Sequence, residues 1–163
     1  MKQLTCVLVL LLLIGIGTSC DKGPDPNGPI VFEGLTLIDE NGLVLGFDSD
    51  DWRLDDEWRD DEAALFMENK STDCNDAAGW DIIGYPNPSD GQFFIQMAKP
   101  ESVRLAYRLV DEDLNVLISR DSIFNDVIIV NARNFLIQDT VRMYYKLIDG
   151  ECEYRGHGDL LFQ

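Results

Sequence analysis

The sequence predicts a mainly β protein, with an antiparallel β-sandwich in its C-terminal half preceded by a β-hairpin and a short acidic helix. Three observations carry that expectation. From Gln92 onward apolar residues recur with a period of two, the pattern of strands with one buried face. Turn-forming residues separate these runs at intervals of 8 to 15 residues. No alternation of strands with long helices occurs, which disfavours a parallel sheet.

The chain opens with a targeting segment over residues 1–19. Lys2 supplies a positive start, and residues 6–16 are almost continuously apolar. About eleven such residues are too few to cross a bilayer core, which needs ~20, but they suit the apolar region of an export signal. Gly15, Gly17, Thr18 and Ser19 then place small residues before Cys20. This arrangement resembles a bacterial lipoprotein signal. The resemblance implies cleavage before Cys20 and acylation of its sulfur, with more than one chain giving a stable membrane anchor.

Residues 20–29 read as a lipidated cysteine followed by a tether. Its run Asp-Lys-Gly-Pro-Asp-Pro-Asn-Gly-Pro suits neither helix nor strand and spans at most ~30 Å. Residues 30–82 form an acidic hairpin–helix segment. Leu35–Ile38 and Leu43–Phe47 flank Asp39-Glu40-Asn41-Gly42, and Asn-Gly is a strong hairpin signal. Nine of the fifteen residues from Asp48 to Glu62 are acidic, and a short helix is expected over residues 58–66. Trp52, Trp58, Leu65 and Phe66 are its expected packing residues.

The sandwich is expected over residues 83–163. Gln92–Met97 is one strand. Val103, Leu105, Tyr107 and Leu109 alternate with polar residues, as do Val141, Met143, Tyr145 and Leu147. Shorter strands are expected at residues 116–118 and 127–130, and Leu160–Phe162 is expected to close the sheet. Cys74 and Cys152 remain once Cys6 leaves with the leader and Cys20 is acylated. They are either a disulfide or two buried thiols, and export to an oxidising compartment favours the disulfide.

Within this half, Tyr85-Pro86-Asn87-Pro88, followed by Gly91 and Phe93, resembles the opening of the C-terminal sorting domain of type IX secretion cargo. Leu109-Val110-Asp111 and Tyr144–Gly150 resemble its later strands. The resemblance covers about half of the chain, and Tyr-Pro-Asn-Pro is its specific motif. It implies an Ig-like β-sandwich, a motif set of Tyr85, Pro86, Asn87, Pro88, Gly91 and Phe93, and the type IX machinery as a partner. Pro86 and Pro88 fix φ at the entry, Gly91 relieves the turn, and Phe93 enters the core.

Composition narrows the function. The 163 residues carry 30 Asp+Glu against 13 Lys+Arg and a formal net charge of −17, which excludes phosphate-backbone binding as a default. A single His argues against a His-based triad or a Cys/His zinc site, and no Gly-x-Ser-x-Gly, phosphate loop or His-Glu-x-x-His occurs. The expectation is a non-enzymatic envelope lipoprotein at the outer membrane, on its periplasmic or surface face, with a structural or protein-binding role. It touches the membrane through its lipid and has no cofactor beyond it.

Two alternatives stay open. One is a type IX cargo whose C-terminal domain is a sorting signal. The other is a surface module for Ca²⁺ or glycan, built from Asp48, Asp50 and Asp51 with Trp52 and Trp58. The carboxylates miss the EF-hand spacing, so a solvated acidic face competes with the metal reading. His157, in Gly-His-Gly-Asp, is expected in a structural turn. Arg104, Arg108, Arg142 and Lys146 form a basic stripe on the sheet's outward side. It is either an ordinary solvated face or the seat on which the acidic segment docks through its tryptophans.

Overall fold

The computed structural model describes residues 28–32, 34–54, 57–74, 77, 79–135 and 139–163. The leader, Cys20 and most of the tether lie outside the described residues. Strands β1 (Leu37–Ile38) and β2 (Val44–Gly46) form an antiparallel pair, followed by the single-turn helix α1 (Asp60–Ala63). A three-stranded sheet has the order β3 (Asp81–Tyr85), β4 (Gln92–Ala98), β7 (Val127–Asn131). A four-stranded sheet has the order β6 (Val116–Ile123), β5 (Arg104–Val110), β8 (Thr140–Asp149), β9 (Cys152–Leu161). All pairings within the two sheets are antiparallel, so the protein is a mainly β, two-layer sandwich.

Period-two patterning builds the space between the sheets. Ile82, Phe93, Ile95, Met97 and Val130 point inward from one sheet; Leu105, Leu109, Met143, Tyr145, Leu147 and Leu160 meet them from the other. The alternate residues of β5 and β8 do not face water. Ala106, Val110, Tyr144 and Ile148 form a second core with Ile30 and Phe66, and Trp58 and Leu65 pack against it. The acidic segment therefore roofs β5 and β8, which are buried on both faces, while the edge strand β6 stays largely exposed.

Several expectations change. The sandwich begins at Asp81 rather than residue 83, because Asp81–Tyr85 pairs along its length with β4. The helix is a single turn, Asp60–Ala63, shorter than the expected 58–66; its first turn holds Asp60, Asp61 and Glu62. The hairpin turn takes positive φ at Gly42 alone, and the Asp39 carboxylate accepts the N–H groups of Asn41 and Leu43. His157 is not in a turn. It lies inside β9, a ten-residue strand of which only the last residues were expected.

The glycines on either side of His157 explain why. A Cβ at Gly158 would sit 2.3 Å from the Trp52 indole, and one at Gly156 would sit 1.9 Å from the Arg53 carbonyl. A Cβ at Gly84 on β3 would meet the same ring at 2.6 Å. Residues 51–53 thus land directly on β9, and Trp52 enters the core between the sheets, stacked at 6.0 Å on Tyr145. Trp52 itself takes φ 60°. That left-handed backbone costs an L-residue about 1–2 kcal/mol, and burial of the indole offsets it.

The same landing satisfies the edge of β9. Trp52 N–H donates to the His157 carbonyl at 2.9 Å, and Asp159 N–H donates to Asp51 Oδ1 at 2.8 Å. Further along, Glu153 N–H donates to the Ser71 carbonyl and Ser89 N–H to the Leu161 carbonyl, both at 2.9 Å. Three separate segments thereby cover an edge that would otherwise invite pairing with another chain. Cys74 and Cys152 form a disulfide across a sequence separation of 78, fastening the segment to the start of β9.

Gly158→Ala is expected to lower stability by about 1–3 kcal/mol through overpacking against Trp52. In a Trp52→Ala background the same change should cost little, which a double-mutant cycle of urea melts would measure. Loss of the disulfide in Cys74→Ser/Cys152→Ser should cost about 4 kcal/mol by chain entropy. A change under about 1 kcal/mol would show that the strap holds without it.

Candidate functional site

The Tyr-Pro-Asn-Pro residues form a structural joint. Asn87 is buried, and its backbone exchanges two hydrogen bonds of 2.8 Å with Ile38 of β1. Its side-chain Nδ2 donates to the carbonyls of Thr36 at 2.9 Å and Asp159 at 2.8 Å, while Oδ1 accepts the Leu161 N–H at 2.9 Å. One amide thus ties the hairpin, the entry to β4 and the end of β9. The Tyr85–Pro86 and Asn87–Pro88 bonds are both cis. Gly91 takes φ 88°, where an added Cβ would lie only 3.1 Å from Arg133, and Phe93 lies in the core beside Phe162. Tyr85 instead points outward, stacked at 5.5 Å on Phe94.

The acidic candidates part company. Asp51 turns inward and accepts the N–H groups of Thr36 and Asp159, both at 2.8 Å. Asp48 accepts the Asp50 N–H, and Asp50 pairs with Arg53 at 2.9 Å. Among the described residues no group of three or more His, Cys, Asp or Glu is arranged to hold a metal ion. The two tryptophans also separate, since Trp52 is committed to the main core while Trp58 packs on Phe66 at 5.3 Å and Tyr144 at 5.5 Å. Trp58 borders an open cleft of about 680 Å³ with Trp80, Tyr154, Glu57 and Arg155, beside the disulfide.

The basic stripe is not a solvated face. Lys146 is fully buried and donates to Glu153 Oε2 at 3.1 Å, Asn69 Oδ1 at 2.7 Å and the Glu68 carbonyl at 3.0 Å. Its ammonium also lies 4.8 Å from the centre of the Phe66 ring. Burial pushes the Lys146 pKa down. Burial also opposes charge on Glu153, yet the Lys70 N–H, Arg155 and Lys146 hold its carboxyl below the usual range. Arg108 donates to the Leu65 carbonyl and pairs with Asp121; Arg104 pairs with Glu68. Arg142 grips Asp159 through two bonds of 2.7 Å and reaches the Val31 carbonyl. Residues 28–69 dock on the stripe largely through aromatic rings and backbone carbonyls. Glu62 joins them by accepting the Tyr144 hydroxyl at 2.6 Å.

What stays open is the outer face of the three-stranded sheet. Register places Tyr85, Phe94 and Ile129 in one row across it, and Ile83, Gln96 and Val127 in the next. Val127 and Ile129 are more than half exposed. The alternating pattern of β4 was visible in the sequence, but which of its two faces would be roofed was not.

Asp51 supplies a pH test. Burial, with Asp159 nearby, pushes its pKa up to about 6 against the pull of its two N–H donors. The folded chain therefore holds the proton more tightly than the unfolded one. Stability from this group should fall as pH rises from about 4 to about 6, by about 3 kcal/mol in total. Urea melts across that range should show the slope, and Asp51→Asn should flatten it. An unchanged slope in the variant would assign the dependence elsewhere.

No protein-family model matches the chain, and no curated protein or solved structure matches it either.

Proposed function

We propose that this chain is a non-enzymatic lipoprotein of a bacterial envelope, anchored through Cys20, whose sandwich binds another envelope protein. The leader and the small residues before Cys20 support the anchor. The Cys74–Cys152 disulfide fits an oxidising compartment. The observation that carries the binding role is the asymmetry of the two sheets. One is roofed by the chain's own aromatic residues, while the other presents Tyr85, Phe94, Ile129 and Val127 outward. Aromatic residues at the centre of a patch are the usual anchors of protein interfaces.

Fatty-acid labelling of cells should mark the wild-type chain and not Cys20→Ser. Protease shaving of intact cells then assigns the membrane face. Ile129→Asp should change stability by less than about 0.5 kcal/mol, since the side chain is exposed. It should nonetheless abolish cross-links formed in intact cells from a photoreactive residue at position 127. Absent label, or cross-links indifferent to Ile129→Asp, would remove the anchor or the binding face respectively. Loss of surface delivery on replacing Tyr85 and Phe94, with the fold retained, would move the chain to the sorting-cargo reading.

A further inference from the structure

The hairpin carries apolar side chains that nothing in the described chain covers. Leu43, Leu45 and Phe47 follow one another at every second residue, so they share one face of β2, and they are 63%, 66% and 76% exposed. Val44 and Leu37, on the opposite face, are 47% and 36% exposed. Ile38 of β1 is buried and pairs with Asn87, so β1 is seated while Leu43, Leu45 and Phe47 stay open. Turn and strand are nevertheless held in place: Ile38 pairs with Asn87, and Gly42 approaches the Tyr85 ring.

The position of this hairpin relative to the anchor decides what covers it. Val110, Arg142 and Asp159 lie in one row across β5, β8 and β9, near one end of the four-stranded sheet. Ile30 N–H donates to the Glu112 carbonyl just beyond that row, and Arg142 reaches the Val31 carbonyl. Asn87, which holds β1, accepts from Leu161 and donates to Asp159 at the same end. The entry at residues 30–31 and the apolar hairpin therefore lie at the same end of the sandwich. Seven residues lie between Cys20 and Gly28, a reach of at most ~28 Å. Residues 20–27 read Cys-Asp-Lys-Gly-Pro-Asp-Pro-Asn and contain no apolar run able to cover Leu43, Leu45 and Phe47.

We propose that the β1–β2 hairpin is a second membrane contact, laying Leu43, Leu45 and Phe47 into the interface of the bilayer that holds the lipidated Cys20. The inference rests on the anchor reading above. Asp39, Glu40, Asp48 and Asp50 flank the row, so the bilayer it fits is one of zwitterionic phospholipid, and anionic lipid weakens the contact. Two attachments at one end, acyl chains and an apolar strand, also reinforce each other through effective concentration.

The test places a fluorescent reporter at the contact. Full-length mature chain lipidated at Cys20 is reconstituted into phosphatidylethanolamine–phosphatidylcholine vesicles with brominated acyl chains, as Leu45→Trp and as Glu151→Trp. Glu151 lies in the turn at the opposite end of the sheet. After subtraction of the parent signal, emission from Leu45→Trp should fall about two-fold or more, and emission from Glu151→Trp should not change. Vesicles that carry the chain with neither reporter quenched would overturn the proposal. So would a concentration-dependent dimer that Phe47→Ser dissociates, because a second copy would then be the occupant.

Failure of the chain to float with vesicles would count against the anchor alone. The unlipidated Cys20→Ser chain then decides the hairpin. A blue shift of Leu45→Trp on adding vesicles, abolished by Leu43→Ser/Phe47→Ser, supports the contact, and no shift overturns it.

Discussion

The structure depends on a close approach at one strand edge. β9 carries Gly156 and Gly158 where a side chain of any size would collide with residues 52–53. Without that gap Trp52 could not enter between the sheets, and the N–H of Asp159 and the carbonyl of His157 would lose their partners. A buried or unpaired edge is costly in both senses, as lost hydrogen bonds and as a template for aggregation. The indole contributes packing, and the backbone beside it contributes the edge bonds. Neither works without the two glycines.

That landing also sets the fate of the charges. Residues 21–82 contain 18 acidic and 4 basic residues, residues 83–163 contain 12 and 8. Simple complementarity would lay acidic side chains on the basic stripe of β5 and β8. The packing is different in kind. Phe66 and Trp58 lie against the aliphatic stems and cationic heads, and carbonyls of residues 65 and 68 accept their hydrogen bonds. The counter-charges come largely from within the sandwich, as Asp121, Asp159 and Glu153. Buried ion pairs contribute little net stability over apolar packing, but an unpaired one is severely destabilising. The roof is therefore held in a single register by charges that cannot be left alone.

How much of this was legible in the sequence follows from the range of each interaction. Period two revealed β4, β5 and β8, because alternation is local and survives any packing arrangement. The disulfide was expected from cysteine arithmetic. β3 was missed because Asp81-Ile82-Ile83-Gly84-Tyr85 is short and contains a glycine, which local rules demote. Most of β9 was missed for the same reason: Gly-His-Gly-Asp reads as a turn until Trp52, about 105 residues earlier, supplies the ring that needs the space. The outward direction of Arg108 and Lys146 was legible, while their burial was not. Nothing within β5 or β8 announces that Phe66 will cover them. Asn87 was legible as part of a motif, though its three side-chain hydrogen bonds to residues 36, 159 and 161 are invisible to spacing.

Residues 28–74 then form one strap rather than a separate segment. It enters beside Glu112, pairs with Asn87, caps β9 at residues 157–159, crosses the four-stranded sheet and returns to β9 at Ser71 and Cys74. Both of its ends are fastened to the sandwich, one by hydrogen bonds and one covalently. A force arriving through an N-terminal tether would meet the hydrogen-bonded end first, at Ile30, Val31 and the hairpin. The disulfide lies beyond the whole roof, so opening at the entry need not travel as far as Lys146 and Glu153. The covalent fastening is placed where loss of the roof would uncover buried charge, and the hydrogen-bonded one at the N-terminal entry beside Ile30 and Val31.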